Sequence, residues 1–303
     1  REIGAYTHYK QKPGHPGAIG SNLVKLVYED ADHNIWAGTH GGGLNVMAKG
    51  KGPFRKYFYD PQDPGSYLRE ITSLMEDDKG RFWIGTNAGL HVMRRKGVEL
   101  YPLDDSALTG PVAGLSIRYL FQDSRDRYWV GAINGLYLHN GSGAMKQILS
   151  GYINAIQEDS RGNIWVSLYY GGLLQYSPDL QTQTLYTEKD GLPHNNVMGL
   201  LEDNHYQFWV ATGNGLVHFD PLKKTFQTYT TSDGIAGNSF NYNAFLKDSH
   251  GEFYFGSHNG ITHFFPDKIT INTYAAPLHF TGLRLFNQPV GIGEKNGLLQ
   301  KDI

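Results

Sequence analysis

Hydrophobic residues of this chain occur in short runs of β-forming residues separated by Gly, Asn and Asp. One stretch shows the unit, with runs from Ile71 to Asp77, from Phe82 to Thr86 and from Leu90 to Met93, and with turns at Lys79-Gly80 and at residues 87–89. Runs of this length, bounded by turn residues, predict antiparallel strands joined by tight hairpins.

The same unit recurs six times. In each copy an Asp is followed six residues later by an aromatic residue and then by a Gly-hydrophobe pair, at Asp30/Trp36, Asp77/Trp83, Asp123/Trp129, Asp159/Trp165, Asp203/Trp209 and Asp248/Tyr254. Successive copies begin about 36 to 47 residues apart, which is the period of propeller blades. All five tryptophans occupy this one position of the repeat.

A weaker fourth strand follows five of the copies, at Phe54 to Tyr59, Val98 to Tyr101, Met145 to Ile148, Thr184 to Thr187 and Phe226 to Thr230. The predicted fold class is therefore all-β, a β-propeller of four-stranded antiparallel blades. Six repeats are visible, and a seventh blade is expected only if residues 269–286 add strands of their own. The segment Ala5 to Tyr9 resembles an outermost strand, so we expect it to complete the last blade and close the ring.

Composition excludes several classes of function. The formal net charge is −2 and no basic face is evident, so no nucleic-acid partner is expected. The chain has no Cys, which excludes disulfides and thiol chemistry. No apolar run approaches the roughly 20 residues that span a bilayer, so membrane attachment is expected only through segments outside this chain.

The repeated residues are predicted to be structural. An aromatic residue at one fixed position per blade suits a wedge between neighbouring sheets better than a ligand cage. The repeated Asp precedes a turn, where its side chain accepts bonds from backbone N–H groups, and the repeated Gly supplies a positive φ in the hairpin.

Binding residues are expected where the repeats differ. Residues near the start of each innermost strand approach one mouth of the channel, and loop capping is their alternative role; they are Asn22, Arg69, Arg118, Asn154, Asn196 and Asn241. A second candidate ring lies in the hairpins and includes Tyr169, Tyr170 and His258. Whether the two rings share a face is left open by the sequence.

Thirteen His residues raise the question of metal binding or catalysis. None has a metal-ligand spacing such as His-Glu-x-x-His, and neither a nucleophile elbow nor a phosphate-binding loop is present. We therefore expect no metal, no cofactor and no catalytic residue in this chain.

The repeated sequence motif resembles that of the two-component regulator propeller family, most closely at Ile71 to Leu90 and Ile153 to Leu173. The pattern covers about 240 residues. Near the end, Pro277 to Val290 looks like the opening strand of the β-sandwich that follows the propeller in this family. The resemblance implies a propeller sensor domain over residues 1–268 and a truncated β-sandwich over 269–303. The family motifs are structural, so no binding residue carries over from them.

The family implies extracytoplasmic propellers upstream of a membrane span and a histidine kinase or diguanylate cyclase. We therefore predict a periplasmic sensor fragment that binds an oligosaccharide or another small polar ligand at the propeller mouth. Binding of the ligand would alter the geometry of a homodimer formed through the parent receptor. Two alternatives remain: a propeller lyase or hydrolase acting on an acidic polysaccharide, and a protein-interaction platform.

Overall fold

The computed structural model describes residues 7–58, 70–103, 105–269 and 283–292. The chain divides into two compact units, Arg1–Pro266 and Asp267–Ile303. The first unit is an all-β propeller of six blades, as predicted. Its described helical segments are the short helix α1, Ser106–Thr109, and 3-10 turns at Ala48–Gly50, Gly110–Val112 and Thr231–Asp233.

Blades 1 to 3 each contain four antiparallel strands in sequence order. Blade 1 consists of β1 to β4, at Val24–Glu29, Ile35–Thr39, Leu44–Met47 and Phe54–Tyr57. Blade 2 consists of β5 to β8, at Ile71–Glu76, Arg81–Thr86, Gly89–Lys96 and Glu99–Pro102. Blade 3 consists of β9 to β12, at Ile117–Gln122, Tyr128–Ala132, Gly135–His139 and Lys146–Ser150.

Blades 4 to 6 follow the same plan. Blade 4 contains β13 to β16, at Ile153–Glu158, Ile164–Leu168, Gly172–Tyr176 and Gln183–Tyr186. Blade 5 contains β17 to β20, at Val197–Glu202, Phe208–Thr212, Gly215–Asp220 and Thr225–Tyr229. Blade 6 contains β21 to β23, at Phe240–Lys247, Phe253–Ser257 and Gly260–Phe264. The five predicted fourth strands are confirmed.

The expectation that Ala5 to Tyr9 completes blade 6 falls partly outside the described residues and stays a prediction. Within the described residues the sheet of blade 6 has three strands. Of the segment expected to complete it, Ala5 lies outside the described residues and Thr7 to Tyr9 form no strand. Instead, the Tyr9 ring packs edge-on against Phe54 of blade 1, with the ring centroids 5.4 Å apart. Tyr9 is 45% exposed, so this contact covers only part of its ring.

The second unit is described by itself. It contains a short hairpin of β24, Arg284–Leu285, and β25, Gln288–Pro289. The two residues between the strands, Phe286 and Asn287, both have positive φ values, 48° and 63°, as a two-residue hairpin turn requires. The assignment of residues 269–303 to a β-sandwich stays a prediction, because much of that segment lies outside the described residues.

Blades 1 to 5 each pack on the next blade through the repeated tryptophan. Trp36, Trp83, Trp129 and Trp165 are fully buried. Trp83 stacks on Tyr128 of the following blade at 4.8 Å, and Trp165 packs on Phe208 at 4.7 Å. The predicted role as a wedge between sheets is confirmed.

The repeated Asp does more than make a turn. Asp159 accepts hydrogen bonds from the backbone N–H groups of Arg161 and Asn163, both at 2.9 Å, and also from the Trp165 indole at 2.8 Å. Blades 1 to 3 contain the same bond from Trp Nε1 to Asp. Burial raises the pKa of Asp30, but hydrogen bonds from Trp36 and Asn34 more than offset this, so its pKa lies below the ordinary value.

A second repeated contact joins neighbouring blades at the turn end, the end of the propeller that carries these Asp turns. The Ser124 N–H donates to Glu158 of the next blade, and the Ser160 N–H donates to Glu202, both at 2.7 Å. Between blades 5 and 6, Lys247 replaces the acidic residue and donates to the Glu202 carbonyl at 3.1 Å. At this junction the side chain of the following blade therefore donates the hydrogen bond instead of accepting it.

Replacing Asp159 with Ala is expected to lower the free energy of unfolding by about 3 kcal/mol or more, because several buried donors lose their acceptor. Asp248→Ala is the matched control. Asp248 accepts two backbone bonds, whereas Tyr254, in the tryptophan position, donates to Glu252 instead. The control should cost about 1 kcal/mol. If urea unfolding gave the same loss in free energy of unfolding for both variants, this account of the Asp–Trp bond would be contradicted.

Acidification from pH 7 to 5 is expected to lower the melting temperature. Burial lowers the pKa of His91, so folding favours its neutral form. Its stabilising effect is present above the unfolded pKa of about 6.5 and is lost as the pH falls through the folded pKa. His91→Phe keeps an aromatic ring against Phe58 and removes the proton-binding site. The melting temperature of the variant should depend less on pH than that of the wild type. An unchanged dependence would refute the role assigned to His91.

Candidate functional site

The candidate site lies at the mouth, the end of the propeller where the first strand of each blade begins. Five of these first strands have an irregular register near their start, where one residue is inserted relative to the second strand. The inserted residues are Lys25, Thr72, Arg118, Asn154 and Met198. Insertions of this kind re-aim side chains and occur often beside functional sites.

The first strand of blade 6 departs further from the repeat. Phe240 pairs with Ser257 and Phe245 with Phe255, so four residues of β21 stand opposite one residue of β22. Within this bulge Asn243 has a positive φ of 59°, and its amide donates to the Thr72 carbonyl of blade 2 at 3.3 Å. The bulge therefore reaches across the centre of the propeller. A cavity of about 190 Å³ remains beside it.

Aromatic residues of blades 4 and 5 form a continuous surface at the mouth, which we call the aromatic platform: Tyr152, Tyr169, Tyr170 and His194. Neighbouring ring centroids are 4.9, 4.4 and 5.6 Å apart in that order. Arg118 of blade 3 extends the row, because its guanidinium carbon lies 5.1 Å from the Tyr152 ring centroid. Rings from two blades and a cation from a third thus form one surface.

Tyr170 is held in an unfavourable backbone conformation. Its φ is +54°, a region that a bulky residue rarely occupies. The side chain is 61% exposed, so burial of the ring does not explain the strain. Strained exposed residues concentrate at functional sites.

Polar side chains form a second group at the mouth, in blades 1 to 3. The Asn87 amide donates to Glu70, and the Ser116 hydroxyl donates to the Asn87 oxygen at 2.6 Å. His40 lies 3.3 Å from the Glu70 carboxylate. The polar side chains of this part of the mouth therefore bind one another through hydrogen bonds.

The two predicted rings share a face. The Tyr169 N–H donates to the Tyr152 carbonyl, and the Gly213 N–H donates to the Asn196 carbonyl, both at 2.9 Å. These bonds place the hairpins after the second strands beside the starts of the first strands. The question left open by the sequence is thereby answered.

The structure brings some of the predicted site residues together. Arg118, Tyr169 and Tyr170 lie at the platform. Asn154 and Asn196 lie in the same two blades but are buried, and the Asn154 amide donates to the Asn196 oxygen at 3.2 Å. These two amides therefore link blades 4 and 5.

Other predicted residues lie apart from the platform or outside the description. The Asn22 oxygen accepts from the Gln11 backbone at 2.8 Å and so holds the N-terminal segment. His258 is exposed in the hairpin of blade 6, and Asn241 lies in the β21 bulge. Arg69 lies outside the described residues. For all of them a binding role stays a prediction.

Two contributors to the mouth were missed by the sequence reasoning: Tyr152 and Tyr242. Tyr152 directly precedes β13, the position that Asn196 has before β17, so the repeat register could have identified it. The Tyr242 ring centroid lies 3.7 Å from the Arg118 guanidinium carbon. No repeat signal predicts this contact, because it depends on the bulge of β21.

Larger cavities lie elsewhere. A cavity of about 640 Å³ at the turn end is lined by Ser160, Glu202 and Lys247 among others, which are the residues that join the blades there. Among the described residues no group of three His, Asp or Glu side chains could hold a metal ion. In the same part of the chain, no helix has the length and apolar character needed to cross a membrane.

Three segments of the chain, at 68–88, 147–170 and 191–214, match the family described as two component regulator propeller. Each segment includes the start of a first strand at the mouth or a hairpin beside it. These segments are similar to two-component regulator propeller repeats. The resemblance seen in the sequence is confirmed.

Several relatives share this architecture. Histidine kinase P4 from Formosa agariphila is 29% identical over 222 residues, which is 68% of this chain and 16% of that protein. A solved structure described as the extracellular domain of hybrid two component system BT3049 from B. thetaiotaomicron is 25% identical, with a TM-score of 0.70, and the match covers 91% of this chain and 39% of that one. This chain therefore corresponds to well under half the length of either relative.

An enzyme also shares the propeller fold. An ancestral GH74 enzyme is 11% identical, with a TM-score of 0.62, and the match covers 86% of this chain and 38% of that one. At this identity the likeness shows the fold alone, since one fold supports many activities.

Replacing Tyr170 with Gly should preserve or raise the melting temperature, because Gly adopts a positive φ without strain. The gain is expected to be up to about 1 kcal/mol. Tyr169→Gly is the matched control, since φ of Tyr169 is not positive and its ring packs against Tyr152. Differential scanning calorimetry should show a loss for the control alone. A comparable loss in Tyr170→Gly would show that the ring contributes to stability.

Proposed function

We propose that this chain is the periplasmic ligand-sensing propeller of a transmembrane signal-transduction receptor and that it binds an oligosaccharide at its mouth. The observation that carries the proposal is the aromatic platform, with Tyr169 44% and Tyr170 61% exposed on a rigid scaffold. Exposed rings stack on the apolar faces of sugars, and loops on a rigid scaffold are the usual place for recognition.

The relatives support the signalling part of the proposal. One is named a histidine kinase and another is described as an extracellular domain of a hybrid two component system. Because the chain matches only part of each, kinase or cyclase activity would belong to other parts of the parent protein. We propose that the receptor forms a homodimer and that ligand at the mouth changes the geometry of that dimer.

A lyase acting on an acidic polysaccharide is the second candidate, because the platform places Tyr152 beside Arg118 and His194 beside Tyr170. The electrostatics of the platform favour binding over catalysis. The hydrogen bond with Tyr170 and the charge of that neighbour raise the pKa of Tyr169. A tyrosine with a raised pKa is protonated at neutral pH and is a poor general base.

A protein-interaction role has a separate observation in its favour. Leu23, Val24 and Val27 of blade 1 are 61%, 45% and 68% exposed. Contiguous exposed apolar side chains mark interaction surfaces when the patch is large. These residues lie away from the platform in the chain, so the two roles are testable by separate variants.

Addition of an oligosaccharide that the platform binds should raise the melting temperature. At a concentration 100 times the Kd, the stabilisation is about 2.7 kcal/mol, which corresponds to a rise of about 5 °C for a unit of this size. A thermal-shift screen with neutral and acidic oligosaccharides is the measurement. Tyr169→Ala combined with Tyr170→Ala should abolish the rise.

The control is Leu23→Ser combined with Val27→Ser, which changes the apolar surface of blade 1 and leaves the platform intact. Loss of the rise in the platform variant alone would support recognition at the mouth. Absence of a rise with every oligosaccharide would refute the proposal, and release of unsaturated products from the same compounds would favour the lyase.

A further inference from the structure

Arg118 lies between aromatic rings, and no carboxylate of the described residues neutralises it. Its guanidinium lies between two rings, 3.7 Å from the Tyr242 centroid and 5.1 Å from the Tyr152 centroid. Tyr242 is brought there by the bulge of β21, and Tyr152 by its position directly before β13. Rings from two other blades thus orient the guanidinium plane, and stacked guanidinium groups are held with little freedom.

Four other arginines of the described residues have carboxylate partners. Arg81 pairs with Asp77, Arg127 with Asp123, Arg95 with Glu76 and Arg55 with Glu99. Arg118 has no ion pair within the described ranges, and its Nε is buried without a hydrogen-bond partner there. A buried donor without a partner costs about 1 to 3 kcal/mol, so such a group calls for an explanation.

An anionic ligand would neutralise this cation through the terminal nitrogens of the guanidinium. The planar fork of a guanidinium matches the two oxygens of a carboxylate and binds them through two parallel hydrogen bonds. The adjoining rings of Tyr152, Tyr169 and Tyr170 offer stacking surfaces for consecutive sugar rings. A saccharide that carries a carboxylate on one of its units satisfies both features, whereas a neutral saccharide leaves the Arg118 donor unpaired.

We propose that Arg118 binds the carboxylate of a uronic acid unit in an oligosaccharide stacked on the aromatic platform. This inference rests on the proposed function, because it names the class of saccharide that the same site takes. In this proposal Arg118 selects acidic over neutral saccharides, and Tyr242 orients the Arg118 guanidinium.

The test uses the whole chain and pairs of trimeric saccharides, namely glucuronate-, galacturonate- and mannuronate-containing trimers with their carboxyl-reduced neutral counterparts. Isothermal titration should give at least one acidic trimer an affinity about 10-fold or more above its neutral counterpart, as expected for a charge-assisted pair of hydrogen bonds. Arg118→Gln should remove that preference while the variant still binds the neutral trimer as the wild type does.

The matched control is Arg161→Gln. Arg161 also stacks on a tyrosine, with its guanidinium carbon 3.6 Å from the Tyr206 centroid, but at the turn end of blade 4. This variant should keep the full preference for the acidic trimer. Near-ultraviolet circular dichroism of both variants checks that the packing of the tryptophans is intact.

The outcomes separate this inference from the proposed function. If acidic and neutral trimers bind equally and Arg118→Gln changes neither, the selection by Arg118 is overturned and the oligosaccharide function stands. If a sulfated saccharide without a carboxylate binds and none of the uronate-containing trimers does, the carboxylate assignment is overturned. If no trimer binds to the wild type, the proposed function itself fails.

Discussion

The hydrogen bond between the repeated Asp and the Trp six residues later is the interaction on which blades 1 to 4 depend. In blade 4 it joins the turn after the first strand to the second strand through Asp159 and Trp165. The bond orients the indole, and the oriented indole packs against Phe208 of the next blade. One local contact therefore sets both the shape of a blade and its packing on its neighbour, and repetition builds the ring.

The mouth is built where this repetition is interrupted. Ordinary first strands insert one residue near their start, whereas β21 inserts several and carries Tyr242 and Asn243 across the centre. Their contacts with Arg118 and Thr72 connect blade 6 to blades 3 and 2. Local strain of this kind persists where the surrounding structure over-determines it, and the other five first strands keep the common one-residue insertion.

Two parts of the mouth differ in their capacity to bind a ligand. The polar residues around Glu70 and Asn87 bond to one another, so a ligand would have to displace existing hydrogen bonds. On the platform side, Tyr170 is exposed in a strained conformation and Arg118 has an unpaired buried donor. Binding on that side adds interactions without removing any, which is why the proposed ligand is placed there.

The sequence by itself determined the all-β class, the six repeats and the structural role of the repeated Asp and Trp. These features follow from local patterns repeated at a constant period, and each copy supports the others. Only the tertiary structure decided that Tyr152, Tyr170 and Arg118 form one surface and that Tyr242 covers the guanidinium. Such contacts join blades far apart in sequence and depend on strand register and bulges, which side-chain patterns do not encode.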